Sequence, residues 1–225
     1  MVISTRRNFM KVELIEHMGS DLTVVNAARV SFNKQHIKVE PGDLGLIKYL
    51  AKHNHWSPFA HCFLQFKIKA PIFVARQLQK HQIGLAWNEI SRRYVNYDPE
   101  FWTAQEGFRA ATVDKKQGSG NLSPFNQDAK SIQNRVHRSC LEAYQEMLKI
   151  GICEEQARSV LPQSMMTEWF WSGSLFAFSR VCNLRMSEDS QKETEQIALQ
   201  ISKECGRLFP HSWKALTYNY EIGEG

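Results

Sequence analysis

The sequence predicts a single domain that mixes helices and strands, of the α/β or α+β class. Its 225 residues are enough to build one sizeable hydrophobic core. Two segments alternate apolar and polar residues as strands do, and others carry apolar residues at helical spacing. Hydrophobic residues make up 43% of the chain and charged residues 23%, as in ordinary globular proteins. We find no internal repeat and expect residues 1–225 to fold as one unit.

The first predicted elements are two strands and three helices. Residues 11–17 alternate like a strand, and Asp21 is a candidate N-cap for the helix that follows. Asp43 is a candidate start for a second helix. Residues 62–69 alternate as a strand with one buried face. A third helix is predicted from Pro71, because a proline in the first turn lacks only an N–H that would have no helical partner.

A long helix is predicted over residues 127–150, with Gly151 as its stop. The preceding residues, 112–124, are rich in Gly, Ser, Asn and Lys and indicate an exposed loop. A short helix, an aromatic strand or turn, and a closing amphipathic helix are predicted at residues 154–161, 169–171 and 188–209.

The five cysteines are scattered and form no C-x-x-C pair. This pattern indicates neither a disulfide framework nor a zinc site, so we expect small buried side chains rather than nucleophiles. Histidines 53, 55 and 61 lie close in sequence, but their spacing follows no established metal-ligand pattern and we expect no metal. The cysteines are Cys62, Cys140, Cys153, Cys182 and Cys205.

The formal net charge of +5 suits a protein that binds anions, either mononucleotides or nucleic acid. Lys and Arg are dispersed along the chain, which argues against nucleic acid. No apolar run approaches the roughly 20 residues that cross a bilayer, and the N-terminal residues lack a signal peptide's apolar stretch. We therefore expect a cytoplasmic protein with no membrane partner.

The most informative segment is APIFVARQLQKHQIGLAWNEISRRY, residues 70–94. It combines a helix, a glycine-containing turn and more hydrogen-bond donors than a core tolerates. Arg76, Gln77, Lys80 and His81 are spaced to share one face of the helix. Such a face meets either solvent or an anion.

This segment resembles the signature of the flavin-dependent thymidylate synthases, the ThyX family. That signature reads Arg-His-Arg, seven residues and then Ser, with Asn-Glu ahead of the serine and an arginine just after it. This chain has KHQ at residues 80–82, NE at 88–89, serine at 91 and arginine at 93. Two arginines are thus replaced, and one residue is inserted near residues 85–87.

Four further blocks resemble family segments in the same order. Upstream, AARVSF (27–32) and HNHWSPFAH (53–61) resemble N-terminal segments that contact flavin. Downstream, ARSVLP (157–162) and NLR (183–185) resemble segments that bear nucleotide-binding arginines. The resemblance therefore extends nearly from end to end.

The resemblance implies roles for particular residues. Arg185 is the implied catalytic residue, a fixed guanidinium that polarises the uracil ring. The implied substrate-binding residues are Gln77, Lys80, Glu89, Ser91, Arg92, Arg93, Arg158 and Arg185. The implied cofactor-binding residues are Ser31, His55, Ser57, Lys80, His81, Gln82, Ile83, Glu89, Ser174 and Arg180.

Without the resemblance, ordinary structural explanations suit the same residues. Arg185 is then a surface cation at a helix C-terminus, and Arg158 forms an exposed ion pair with Glu154, four residues earlier. Glu89 is then a solvated side chain, and lone histidines such as His81 are more often structural than functional.

The resemblance also implies the architecture and the reaction. It implies an α+β fold, an antiparallel or mixed sheet packed with helices, assembled as a homotetramer with shared active sites. The implied reaction is methylation of dUMP to dTMP with 5,10-methylenetetrahydrofolate as carbon donor and NADPH as reductant through FAD. The flavin-dependent class of thymidylate synthase needs no cysteine nucleophile.

Several positions depart from the family pattern. Lys80 keeps a charge but loses the guanidinium fork, and Gln82 loses the charge. Ala60 stands where the family has a glutamate, and Ser174 and Phe176 stand where asparagine and arginine are usual. These changes predict that FAD binds more weakly or in a different pose. Two alternatives stay open: a flavin- and folate-dependent pyrimidine nucleotide hydroxymethylase, and a non-catalytic nucleotide- or RNA-binding protein.

Overall fold

The computed structural model describes residues 9–95, 97–112 and 119–217, and these form an α+β architecture. The strands are β1 Lys11–Met18, β2 Phe63–Pro71, β3 Leu85–Glu89 and β4 Met166–Ser174. They form one sheet in the order β1-β2-β4-β3, in which every neighbouring pair is antiparallel. The sheet predicted as antiparallel or mixed is therefore antiparallel.

The helices in the described part of the chain vary from one turn to seven. They are α1 Asp21–Arg29, α2 Pro41–Lys52, α3 Ser57–Ala60, α4 Ile72–Leu78, α5 Asn126–Lys149, α6 Glu154–Ala157, α7 Leu175–Arg185, α8 Lys192–Leu208 and α9 Pro210–Leu216. Two 3₁₀ turns, Val30–Phe32 and Arg158–Val160, follow α1 and α6. No helix among these residues is both long and apolar enough to cross a membrane.

The two central strands, β2 and β4, pair along their whole lengths, so that Phe63 faces Ser174 and Pro71 faces Met166. One face of this pair is fully buried because alternate apolar residues point to it. Phe178 of α7 packs edge-on against Phe66 and Trp171, with ring centroids 5.1 and 5.4 Å apart. Helix α8 packs on α7 and completes the core.

Predicted elements are confirmed in type, with corrections at their starts. Ser20, rather than Asp21, is the N-cap of α1. The Asp21 carboxylate instead accepts hydrogen bonds from the backbone N–H groups of His211 and Ser212, at 3.0 and 2.8 Å. It therefore satisfies the free donors at the start of α9, a helix 190 residues away. Asp43 lies in the first turn of α2, which begins at Pro41.

Helix α4 is shorter than the signature suggests. It ends at Leu78, so Lys80 and His81 lie in the turn beyond it. The prediction that both share a helical face with Gln77 is therefore wrong, because the chain leaves the helix before reaching them.

Later elements follow the predicted pattern closely. Gly151 ends α5 with a φ of +88°, and the N–H of Ile152 donates to Met147 O at 2.9 Å. Residues 169–171 lie within β4, a strand. The predicted short helix consists of α6 and the 3₁₀ turn after it. Of the predicted 112–124 loop, residues 113–118 lie outside the described part of the chain.

The cysteines differ in their surroundings, and one prediction fails. Cys62, Cys182 and Cys205 are buried, Cys140 is half-buried, and Cys153 is exposed rather than buried. Burial raises the pKa of Cys62 to about 12 and raises the pKa of Cys205 well above its ordinary value. These buried thiols are poor nucleophiles, as the sequence suggested.

Candidate active site

Arg185 is the last residue of α7, and two neighbours fix its guanidinium. Its Nε donates to His81 Nε2 at 3.0 Å, and its Nη2 donates to the carbonyl oxygen of Gln77 at 3.5 Å. The side chain therefore lies at the C-terminal ends of both α7 and α4, where unpaired carbonyls favour a cation. Burial lowers the pKa of Arg185, yet a guanidinium stays charged at neutral pH.

His81 follows α4 and is suited to accept this hydrogen bond. Burial lowers the pKa of His81, and the charges of Arg185 and Arg180 lower it further. The neutral ring can therefore offer Nε2 as an acceptor to Arg185.

Gly84 ends the turn that carries His81, with a φ of +76°. A Cβ at this position would lie 3.3 Å from Cβ of Ala177, in the first turn of α7. The glycine thus lets the turn lie directly against α7. This close packing explains how a loop residue reaches Arg185 at the other end of the helix.

Gln77 and Arg185 line the same cleft, which has a volume of about 430 Å³. The Gln77 side chain donates from Nε2 to Gln191 Oε1 at 2.5 Å and accepts from Thr194 Oγ1 at 2.9 Å. Ser190 also lines the cleft, and its buried hydroxyl has no hydrogen-bond partner among the described residues. A fixed cation and an amide thus line a space that suits a small polar ligand, next to a buried hydroxyl.

Glu89 is exposed and is the last residue of β3. Its carboxylate accepts from Thr167 Oγ1 at 2.6 Å and from Trp87 Nε1 at 3.3 Å. These two hydrogen bonds hold the Glu89 carboxylate in one position. The alternative expectation of a freely solvated side chain is therefore not met.

The turn after β3 separates two arginines that are adjacent in sequence. Arg92 is buried, donates to the carbonyl oxygen of Tyr97 and lies 4.5 Å from the centre of that ring. Arg93 is exposed, and its N and Nε donate to Ser91 Oγ at 3.3 and 3.4 Å. Arg92 thus stabilises the turn, whereas Arg93 faces outward and is available to an anion.

Arg158 is exposed in the 3₁₀ turn after α6. Its Nε donates to the carbonyl oxygen of Glu155 at 3.2 Å. The ion pair with Glu154 that the structural explanation requires is not present among the described residues. Its charge is therefore free to meet a ligand.

Most predicted cofactor residues are exposed and lie next to exposed apolar side chains. Ser31 lies between Val30 and Phe32, which are 70% and 75% exposed, and Ile83 is 77% exposed. Of the remaining exposed members, His55 and Ser57 flank exposed Trp56, Gln82 precedes Ile83, and Glu89 precedes exposed Ile90. Lys80 and Arg180 are exposed but have no exposed apolar neighbour in the sequence. Within the described chain these groups do not converge on Arg185, except that Arg180 lies near His81.

Ser174 has a structural role that the sequence did not predict. It is the N-cap of α7, and its hydroxyl accepts the backbone N–H of Ala177 at 3.1 Å. Phe176, one of the departures from the family pattern, instead lies 6.2 Å from the ring of exposed Trp56. The role of Ser174 in binding FAD stays a prediction.

Sequence reasoning missed three residues next to Gln77. Gln191 contacts the Gln77 amide, Glu193 accepts from Gln191 Nε2 at 3.0 Å, and Arg109 pairs with Glu193. The one available signal was the position of Glu193 on the apolar face of an amphipathic helix, where an acid requires a partner. No group of three potential metal ligands occurs in residues 9–95, 97–112 and 119–217.

Comparisons with known proteins identify the family of the chain. The family model described as "Thymidylate synthase complementing protein" matches residues 13–211. The chain is 38% identical over 208 residues to a flavin-dependent thymidylate synthase of Kosmotoga olearia, covering 91% of this chain and 88% of the relative. It is 36% identical over 211 residues to the enzyme of Thermotoga neapolitana, covering 93% and 92%.

A solved structure of a related enzyme also resembles this chain. The UMP/dUMP methylase PolB of Streptomyces cacaoi, bound with 5-Br dUMP, superposes with a TM-score of 0.86 at 31% identity. The match covers 94% of this chain and 96% of PolB. Taken with the family model, these similarities show that the chain belongs to the family of flavin-dependent thymidylate synthases.

Proposed function

We propose that this protein converts dUMP to dTMP, with 5,10-methylenetetrahydrofolate as carbon donor and NADPH as reductant through FAD. The observation that carries the proposal is the Arg185 guanidinium, which His81 and Gln77 hold at the edge of a cleft. The proposal is supported by relatives that carry the name flavin-dependent thymidylate synthase, for example at 38% and 36% identity.

Arg185 is the residue that stabilises charge during the reaction. Carbon–carbon bond formation requires C5 of the uracil ring to act as a nucleophile, and the activated, electron-rich ring carries negative charge on its carbonyl oxygen and N3. A guanidinium already fixed by His81 and Gln77 can stabilise that charge without reorienting. The remaining N–H groups of Arg185 provide the donors.

The substrate phosphate is bound by exposed cations. Arg93 and Arg158 form no ion pair among the described residues, and their planar forks suit phosphate oxygens. Ser91, Lys80 and the backbone around Arg92 complete the contacts, and Gln77 and Glu89 orient the base and sugar. Binding should weaken with added salt, because exposed charges are screened.

The exposed residues fit FAD in chemical type. Apolar side chains beside Ser31, His55 and Ser57 suit the two faces of a flavin ring, while Lys80 and Arg180 suit its pyrophosphate. His81, Gln82 and Ile83 lie in the turn after α4, Ser174 at the start of α7, and Glu89 at the end of β3. Bound FAD supplies the hydride that completes the methyl group.

The active form is a homotetramer with shared active sites. Helix α5 has 24 residues, yet only His137 and Tyr144 are buried, and Ile132 and Val136 of its apolar stripe are 53% and 43% exposed. An apolar helix face of this length is suited to a subunit interface. Shared sites would bring Arg158 and Arg93 to the nucleotide. Residues 1–225 act as one catalytic domain, in the cytoplasm.

UMP is a second candidate substrate. The proposal rests on the solved relative, which is named a UMP/dUMP methylase and is recorded with both 5-Br dUMP and 5-Br UMP. Those structures are 31% and 30% identical to this chain and cover 94% of it. UMP therefore belongs in the first assay beside dUMP.

The test is an anaerobic reaction of the purified protein with FAD, NADPH, methylenetetrahydrofolate and either dUMP or UMP, with products identified by mass. We expect a flavin absorbance spectrum and formation of dTMP. A hydroxymethylated nucleotide would instead support the hydroxymethylase. Absence of flavin binding and turnover, together with oligonucleotide binding that falls steeply with salt, would support a non-catalytic protein.

A further inference from the structure

A chain of hydrogen bonds runs from Arg109 to the Gln77 amide. Arg109 pairs with Glu193 Oε1, and Gln191 Nε2 donates to Glu193 Oε2 at 3.0 Å. Gln77 Nε2 then donates to Gln191 Oε1 at 2.5 Å. Thr194 Oγ1 closes the chain by donating to Gln77 Oε1 at 2.9 Å. We call these residues the amide relay.

Glu193 sets the direction of every bond in the amide relay. The residue is only 7% exposed, and its carboxylate is paired with Arg109 and offers acceptors alone. Gln191 must therefore turn its NH₂ group toward Glu193 and its oxygen toward Gln77. Gln77 must in turn present its NH₂ group to Gln191, because two facing amide oxygens would repel.

The consequence is an amide of fixed orientation in the wall of the cleft. Gln77 keeps one free N–H on Nε2 and one free lone pair on Oε1, in fixed relative positions. Uracil carries an N–H donor at N3 beside a carbonyl acceptor at C4, whereas cytosine carries an acceptor at N3 beside an amino donor. An amide that binds one base must flip to bind the other, and the relay opposes the flip.

We propose that Glu193 is a positioning residue that, through Gln191, fixes the Gln77 amide and makes the cleft select uracil over cytosine nucleotides. This selection rests on the proposed function, since it requires the pyrimidine ring to lie beside Gln77 and Arg185. Glu193 and Arg109 themselves need not touch the ligand. Their effect is on base selection rather than on the charge stabilisation that Arg185 provides.

The sharpest test is Glu193→Gln, because glutamine has the same size but can present either an acceptor or a donor to Gln191. The relay can then run in both directions, and the Gln77 amide can flip. A matched control is Glu204→Gln on the same helix, which removes an exposed pair with Arg207 outside the relay. A second variant, Gln191→Leu, breaks the relay but leaves the Arg109–Glu193 pair intact.

The measurement is the dissociation constant of dUMP and of dCMP for each full-length protein by titration calorimetry, with melting temperature as a folding check. We expect the ratio of the dCMP to the dUMP constant to fall about tenfold in Glu193→Gln, the size of one lost hydrogen bond. Gln191→Leu should lower the ratio similarly if Glu193→Gln does not fold. Glu204→Gln should keep the wild-type ratio.

Two results would overturn the proposal, and they are distinguishable. An unchanged ratio in both relay variants, or equal loss of both nucleotides, would show that the relay only stabilises the fold. A wild-type protein that binds neither nucleotide would overturn the proposed function, and the base selection with it.

Discussion

Two strand–helix units of this chain begin alike and end differently. In the first, β2 leads directly into α4, and in the second, β4 leads directly into α7. Each strand has nine residues, and the two N-caps have nearly the same backbone angles, φ −71° and ψ 154° at Pro71 and φ −72° and ψ 156° at Ser174. Because the strands are antiparallel, the two helices start from opposite ends of the sheet.

The difference lies in the length and burial of the helices. Helix α7 has 11 residues and is buried on most sides, whereas α4 has seven and buries one face. The long buried helix carries Arg185 to a fixed position. The short one stops early, and the turn that follows carries His81 back against α7. One unit therefore supplies a rigid cation, and the other supplies the groups that hold it.

The burial difference predicts unequal losses of stability on truncating each helix's phenylalanine. Phe178 of α7 is fully buried between Phe66 and Trp171, so Phe178→Ala should lower the free energy of unfolding by about 3–5 kcal/mol. Phe73 of α4 is only partly buried, against Trp102, so Phe73→Ala should cost about 1–2 kcal/mol. Urea denaturation of both variants measures the difference. Equal losses would mean that the helices anchor the fold equally.

The first unit supplies groups that hold Arg185, and the second supplies Arg185 itself. This division predicts that another cation cannot replace Arg185. Arg185→Lys keeps the charge but loses the planar fork that reaches both His81 and the substrate, so kcat should fall about 10²–10³-fold. Single-turnover methylation of dUMP measures the loss. The control is Arg207→Lys on the exposed surface of α8, which should retain wild-type kcat. A near-normal Arg185→Lys enzyme would show that charge alone suffices.

The two N-caps predict a smaller effect on stability. Ser174 caps α7 through its side chain, whereas no side-chain cap is formed at Pro71 of α4. Ser174→Ala should therefore lower the free energy of unfolding by about 1 kcal/mol, and Ser174→Asp should retain most of it. Ser139→Ala on the exposed surface of α5 is the control. If Ser174→Asp is no more stable than Ser174→Ala, the hydroxyl does not act as a cap.

The same two units show what a sequence can predict. The alternation in residues 62–69 predicts β2 because one face of the strand is buried and the other is not. No amphipathic stripe marks α7, because a helix buried on most sides has apolar residues on every side. Only its end, around Arg185, was predicted as helical. The five-residue strand β3 was missed because it is short and none of its side chains is fully buried.

The candidate site was predictable where local motifs encode it. Arg185, His81 and Gln77 were identified from segments that resemble a known signature, and the fold brings them together. The partners of Gln77 were not predictable, because Gln191 lies 114 residues away and nothing local links the two.

The neutral state of His81 predicts a pH dependence of stability. Burial and the charges of Arg185 and Arg180 lower the pKa of His81 below its ordinary value of 6.5, and burial also lowers the pKa of His137. Below pH 6.5 the unfolded chain therefore binds protons that the folded protein does not. The free energy of unfolding should fall as the pH drops from 7.5 toward 5.5, because protonation favours the unfolded state.

The contribution of His81 to this pH dependence can be separated from that of other titrating groups such as His137. His81→Gln keeps an acceptor for Arg185 but cannot titrate, so its stability should fall less steeply between pH 7.5 and 5.5 than that of the wild type. The residual slope should include the contribution of His137. The exposed His211→Gln is the control and should keep the wild-type slope. We expect a modest change in slope, because half-buried His81 remains partly solvated. An unchanged slope in His81→Gln would mean that His81 in the folded protein protonates freely beside Arg185.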